Sequence, residues 1–107
     1  SIIMMAFDID AGKIWWGRNG TWFNNTGTAN PATGTDAATT GISSDDGPFV
    51  ISCALEANGS TGFTNFGGCS GFALSSEETD GDGFGKFDYE PPSGFFSLCT
   101  KNLANYG

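Results

Sequence analysis

FDIDAGKIWWGRNGTW, residues Phe7–Trp22, reads as two strands and two tight turns. Asp10-Ala11-Gly12 joins the strands, and Arg18-Asn19-Gly20 turns the chain again; both contain residues suited to sharp reversals. The first strand, Ile2–Ile9, is apolar on both faces, which predicts a central position in a sheet. The second, Lys13–Gly17, carries adjacent Trp15 and Trp16. Side chains alternate between faces along a strand, so one indole is expected inside and the other on the opposite face.

Working outward, the remaining sequence predicts further short strands and long loops. Thr21-Trp22-Phe23 is a strand end, and Asn24 to Gly47 is a long polar loop that Ile42 and Pro31 could anchor. Pro48–Glu56 alternates Phe49, Ile51, Cys53 and Leu55 with smaller or polar residues, the pattern of a half-buried antiparallel strand. Asn58-Gly59 is a strong hairpin signal, with Thr61–Phe66 as the returning strand. Gly68–Lys86 is an acidic, glycine-rich loop. Phe87-Asp88-Tyr89 makes a brief strand that Pro91-Pro92 ends, Phe95–Thr100 a last strand, and Lys101–Gly107 a surface tail. No window carries a convincing helical period; only the tail after Cys99 is ambiguous. The reading is all-β and antiparallel, one domain over residues 1–107.

Composition narrows the function. Ten Phe, three Trp and two Tyr supply large buried areas, while 17 Gly indicate many turns. Four Lys plus Arg against 12 Asp plus Glu leave a net charge of −8, a poor surface for nucleic acid or anionic membranes. No apolar run reaches a membrane span. The three cysteines are an odd number, and their spacing with no histidine builds no zinc site. Cys53 is expected as a buried free thiol; a Cys69–Cys99 bridge is an open alternative.

Catalytic signals are weak. There is no histidine, no nucleophile elbow and no phosphate loop. Asp8 and Asp10 share a strand face about 7 Å apart, within reach of glycosidase geometry. They flank a tight turn, however, where Asp commonly bonds its own backbone. The acidic loop makes Asp80, Asp82 and Asp88 a candidate calcium set, lacking the closing Glu of an EF-hand. Asn19, Asn24 and Asn58 begin N-glycosylation sequons, all in turns. Trp15 or Trp16, with Trp22, could stack on a sugar or pack against another subunit.

These motifs also carry a family likeness. AFDIDAGKIWWGRNG resembles the second-half signature of SPRY-type, concanavalin-like β-sandwich domains. Phe49–Glu56 resembles that family's next strand, and Phe63-Thr64-Asn65-Phe66-Gly67 its Asn-Phe-Gly strand. The run from Gly81 through Phe87-Asp88-Tyr89-Glu90-Pro91-Pro92-Ser93-Gly94-Phe95 to Leu98-Cys99-Thr100-Lys101-Asn102-Leu103 is similar to the closure of a variant common in tailed-bacteriophage proteins. The likeness spans nearly the whole chain but lacks the family's N-terminal half, so it implies the C-terminal portion of a larger sandwich or jelly roll.

The resemblance carries no catalytic residues and implies a binding or scaffold role. The expectation is a non-enzymatic virion-surface module, extracellular: part of a tail fibre, head fibre or capsid decoration, with loops 24–47 and 68–86 as its variable surface. Its partners would be other virion subunits or the rest of the same polypeptide, in an oligomeric assembly and in contact with the host surface. The alternative is a lectin-like module binding a host glycan through Trp15, Trp16 or Trp22. No cofactor is expected beyond a calcium ion in the acidic loop.

Overall fold

The computed structural model of the chain describes residues 1–24, 26–68 and 72–106. Strands β1 (Ile3–Asp8), β2 (Lys13–Arg18), β3 (Thr21–Phe23) and β4 (Thr39–Thr40) form one antiparallel sheet, and a short helix α1 covers Thr100–Tyr106. The chain divides into two compact units. One comprises Ser1–Pro48 with Pro92–Phe95, the other Phe49–Pro91 with Phe96–Gly107.

In the first unit β2 is the middle strand. β1 runs beside it from Ile3 opposite Arg18 to Asp8 opposite Lys13. On its other side, Trp16–Arg18 pairs with β3 and Lys13–Ile14 pairs with β4. The expected central position of Ile2–Ile9 is thus corrected: β1 is an edge strand among the described residues. An apolar residue on each face of a strand reports what the faces can pack against. It does not report whether the backbone edge is paired.

The turns follow from their residues. Asn19 (φ 50°) and Gly20 (φ 85°) both adopt left-handed backbone, the two-residue turn whose twist matches the strands it joins. Asp8 Oδ1 accepts the Ala11 N–H at 2.9 Å, which is the turn duty its position predicted. The loop after β3 is ordered by a 3-10 turn at Pro31–Thr33, capped by the Asn30 side chain. Pro31 is buried and the Ile42 N–H donates to Gly12 O at 3.3 Å, so both expected anchors hold the loop.

The core of this unit is small. Ala6 and Trp15 sit opposite each other on β1 and β2, and both are buried. The Trp15 ring meets Phe95 edge-on at 5.7 Å, and its indole N–H donates to Thr35 O at 2.8 Å. Trp15 thereby ties the sheet to the loop below it while leaving no polar atom unpaired.

The second unit departs furthest from the sequence pattern. Pro48–Glu56 and Thr61–Phe66 form no strand, and residues 49–64 are all exposed, Cys53 included. Cys53 is a free thiol, as expected, but not a buried one. The Cys69 end of the alternative bridge lies outside the described residues, and Cys99 is a free thiol.

The turn explains part of this. Ser60 N donates to Ala57 O at 3.0 Å, closing a turn in which Gly59 has φ 81° but Asn58 keeps a negative φ. That is the type II arrangement, whose twist splays the two arms instead of matching them.

Phe87-Asp88-Tyr89 shrinks to a single bridge, Phe87 opposite Glu78. Phe95–Thr100 is irregular, and the expected surface tail is instead α1, which opens with Leu103 N donating to Cys99 O at 2.9 Å.

Candidate functional site

The register of the sheet assigns its side chains to two faces. Met4, Ala6, Trp15, Gly17 and Trp22 share one. Ala6, Trp15 and Gly17 there are buried, and Met4 and Trp22 half-buried. Gly17 is required by space: a Cβ would lie 2.6 Å from Met4 Cε and 2.8 Å from Thr21 O.

The opposite face carries Ile3, Met5 and Phe7 from β1, Ile14 and Trp16 from β2, and Phe23 from β3. Trp16 lies between Met5 and Phe23 in the ladder. Ile3 is 63% exposed, Phe7 38%, Trp16 39% and Phe23 46%. A contiguous apolar, aromatic face of this kind is the usual mark of an interaction surface.

The tryptophans therefore part company. One indole is inside and its neighbour outside, as strand alternation requires. Trp15, at 1% exposure with its N–H already bonded, presents no surface for a sugar, and its candidacy as a stacking residue is withdrawn. Trp16 remains open. Trp22 is half-buried on the packed side, where its Cε3 closes on Gly17.

The acidic loop is organised around one carboxylate. Asp80 Oδ1 accepts the Asp82 and Phe84 N–H groups, each at 3.0 Å, which shapes the turn. Oδ2 accepts the Ser97 N–H at 2.9 Å, the Ser97 hydroxyl at 2.8 Å and the Asn102 amide at 2.8 Å. Asp80, Ser97 and Asn102 are all buried. Burial alone would push the Asp80 carboxyl upward, but hydrogen bonds from Ser97 and Phe84 backbone, then Ser97 and Asn102 side chains, outweigh it. They hold it far below the ordinary carboxylate range.

This cluster joins the acidic turn, the Ser97 segment and α1. Above it, Phe96 and Tyr106 stack at 4.3 Å, and the Tyr106 hydroxyl donates to Asp82 Oδ2.

The three candidate calcium ligands do not converge. Asp80 spends both oxygens on protein donors, Asp82 takes Tyr106, and Asp88 Oδ1 accepts the Ser75 and Ser76 N–H groups. Among the described residues no group of three acidic, cysteine or histidine side chains is placed to hold a metal ion. The pattern of Asp and Gly that suggests a cation site is here the pattern of a carboxylate-capped turn. Ser97 and Asn102, missed in the sequence, are ordinary polar residues whose role exists only through Asp80.

The sequons differ as well. Asn24 Oδ1 accepts the Thr26 and Gly27 N–H groups, and its amide nitrogen donates to Asp36 O, so the side chain is fully committed. Asn19 Oδ1 accepts the Ile2 N–H at 2.9 Å. Asn58 is exposed and makes no side-chain hydrogen bond to the described residues. Asp10, the second carboxylate of the glycosidase pair, is exposed while Asp8 is occupied by its turn.

Comparison with protein-family models, with curated proteins and with solved structures found no match.

Proposed function

We propose that the chain is a non-enzymatic structural module of a virion surface, part of a tail fibre, head fibre or capsid decoration. The exposed sheet face built from Ile3, Phe7, Trp16 and Phe23 carries this reading. A sheet that is packed on one face and apolar on the other is half of a sandwich, and a second layer packed about 10 Å away would cover it. That layer would come from another virion subunit or from the remaining part of the same polypeptide, completing a concanavalin-like or SPRY-like sandwich. The phage-type closure around Pro91-Pro92-Ser93-Gly94-Phe95 supports the setting. The ordered polar loop anchored by Pro31 and Ile42 supports a surface role.

A direct test is labelling of intact phage particles with antibodies against loop 24–47. Decoration of a fibre or of the capsid exterior is expected, and particles that carry the chain yet never bind the antibody would contradict the reading. A Trp16→Glu change should leave the first unit folded and prevent incorporation into particles.

A second reading, the lectin-like module, is favoured by Trp16 alone, since it stands open between Met5 and Phe23. A glycan array separates the two: binding that disappears in Trp16→Ala would support the lectin.

A further inference from the structure

We propose that Asn58-Gly59 is a self-modifying site. Asn58 there deamidates through a cyclic imide, while the identical dipeptide Asn19-Gly20 in the same chain is protected by its fold.

The chemistry needs only water. The Gly59 amide nitrogen gives up its proton to base and attacks Asn58 Cγ. A new N–Cγ bond closes a five-membered imide, and the Cγ–Nδ2 bond breaks, releasing ammonia that takes a proton from solvent. Water then adds to either imide carbonyl. One opening leaves aspartate, and the other leaves an isoaspartyl linkage with the side-chain carbon in the backbone. Nothing is oxidised or reduced. Glycine in the following position matters because it has no Cβ to obstruct the attacking nitrogen.

Both dipeptides have this composition, so geometry must distinguish them. Attack requires rotation about the Asn Cα–Cβ bond and about its ψ. At Asn19 those rotations are blocked. Its Oδ1 accepts the Ile2 N–H at 2.9 Å, its own N–H donates to Ile2 O at 2.9 Å, and the adjacent Arg18 and Thr21 are paired in the ladder. Forming the imide would open that end of the sheet.

At Asn58 none of these restraints exists. The side chain is exposed and has no hydrogen-bond partner among the described residues, and the turn is closed by the backbone hydrogen bond from Ser60 N to Ala57 O. Both flanking arms are outside any ladder. Four further asparagines are poorer substrates. Asn24, Asn30, Asn65 and Asn102 have their amides in hydrogen bonds, and none of them precedes glycine.

Each conversion adds one negative charge to a chain already at −8. The isoaspartyl product also lengthens the backbone by one carbon at the tip between two apolar arms. Their spacing across the turn changes irreversibly, so the site would act as a slow clock on segment 49–66.

The full chain, incubated in mildly alkaline buffer and mapped by peptide mass spectrometry with isoaspartyl methyltransferase labelling, tests this. In the folded chain, conversion at Asn58 should exceed that at Asn19 by about tenfold or more, since only Asn19 requires local opening of structure. In concentrated urea the two rates should converge, and Gly59→Ala should suppress conversion at Asn58 in both conditions. Equal folded rates, earlier conversion at Asn19, or a Gly59→Ala chain that converts as fast as the parent would overturn the proposal.

Discussion

The Asn102 amide nitrogen donates to Asp80 Oδ2 at 2.8 Å across 22 residues of sequence, and both residues are 4% exposed. Through this contact and the Ser97 bonds, the second unit is held around a carboxylate. The buried hydrophobic side chains among the described residues, Ala6 and Trp15, both belong to the first unit.

Removing the carboxylate should therefore be costly. Asp80→Ala removes the acceptor of the Asp82, Phe84 and Ser97 N–H groups and of the Ser97 hydroxyl, and leaves the Asn102 amide with only its bonds to Ser97. The expected loss is about 3–5 kcal/mol in urea denaturation, the range for leaving several buried donors of a charged acceptor unpaired. A loss below about 1 kcal/mol would show that the cluster is ornamental.

Acid should release the same cluster. Asp80 is held below its ordinary value of 3.8, so the unfolded chain takes up a proton at this group before the folded chain does. The stability it contributes is fully present above that ordinary value and declines as pH falls below it toward the depressed folded value. Melting midpoints across an acid series should fall below about pH 4 in the parent. In Asp80→Asn they should be lower at neutral pH and flatter through the same window. Parallel curves would refute the assignment.

The adjacent tryptophans should respond oppositely to truncation. Trp15→Ala opens a cavity and leaves Thr35 O with only the Asn30 N–H as donor, for an expected cost of about 3–5 kcal/mol. Trp16→Ala removes an exposed ring and should cost under about 1 kcal/mol in the isolated chain. Fluorescence should follow: with Trp22 common to both variants, Trp15→Ala, which keeps the exposed Trp16, should emit further to the red than Trp16→Ala, which keeps the buried Trp15. Similar stability losses for both would contradict the two-faced sheet.

Gly85 tests the packing around Ser97. It has φ 90°, and a Cβ there would lie 2.5 Å from Phe87 Cε2 and 3.1 Å from Ser97 Cβ. Gly85→Ala should cost about 2–3 kcal/mol from combined backbone strain and overpacking, read from chemical denaturation. A neutral result would mean that the Phe87 ring swings aside freely.

What was legible in the sequence was local. The β1–β2 hairpin, the Asn19-Gly20 turn and the division of Trp15 from Trp16 follow from a two-residue period and from residues that tolerate left-handed backbone. The loop anchors Pro31 and Ile42 could be picked out as apolar residues in a polar stretch. Failures arose where a local pattern needed a distant partner. Phe49–Glu56 alternates like a strand, and Asn58-Gly59 looks like the turn at Asn19-Gly20. The second turn takes another form, however, and its arms are unpaired among the described residues.

By itself, then, the sequence determined the β character of the first unit, the acidic surface and the aromatic content, because these depend on single residues and their near neighbours. Tertiary structure alone decided that β2 rather than β1 is the middle strand. It also decided that Ile3, Phe7, Trp16 and Phe23 form one open face, and that the Asp80 carboxylate meets Ser97 and Asn102. Each of those outcomes depends on which groups meet across long separations. Asp80 reaches Ser97 over 17 residues and Asn102 over 22. A carboxylate's chemistry is set by the donors that reach it, and residue spacing along the chain does not encode them.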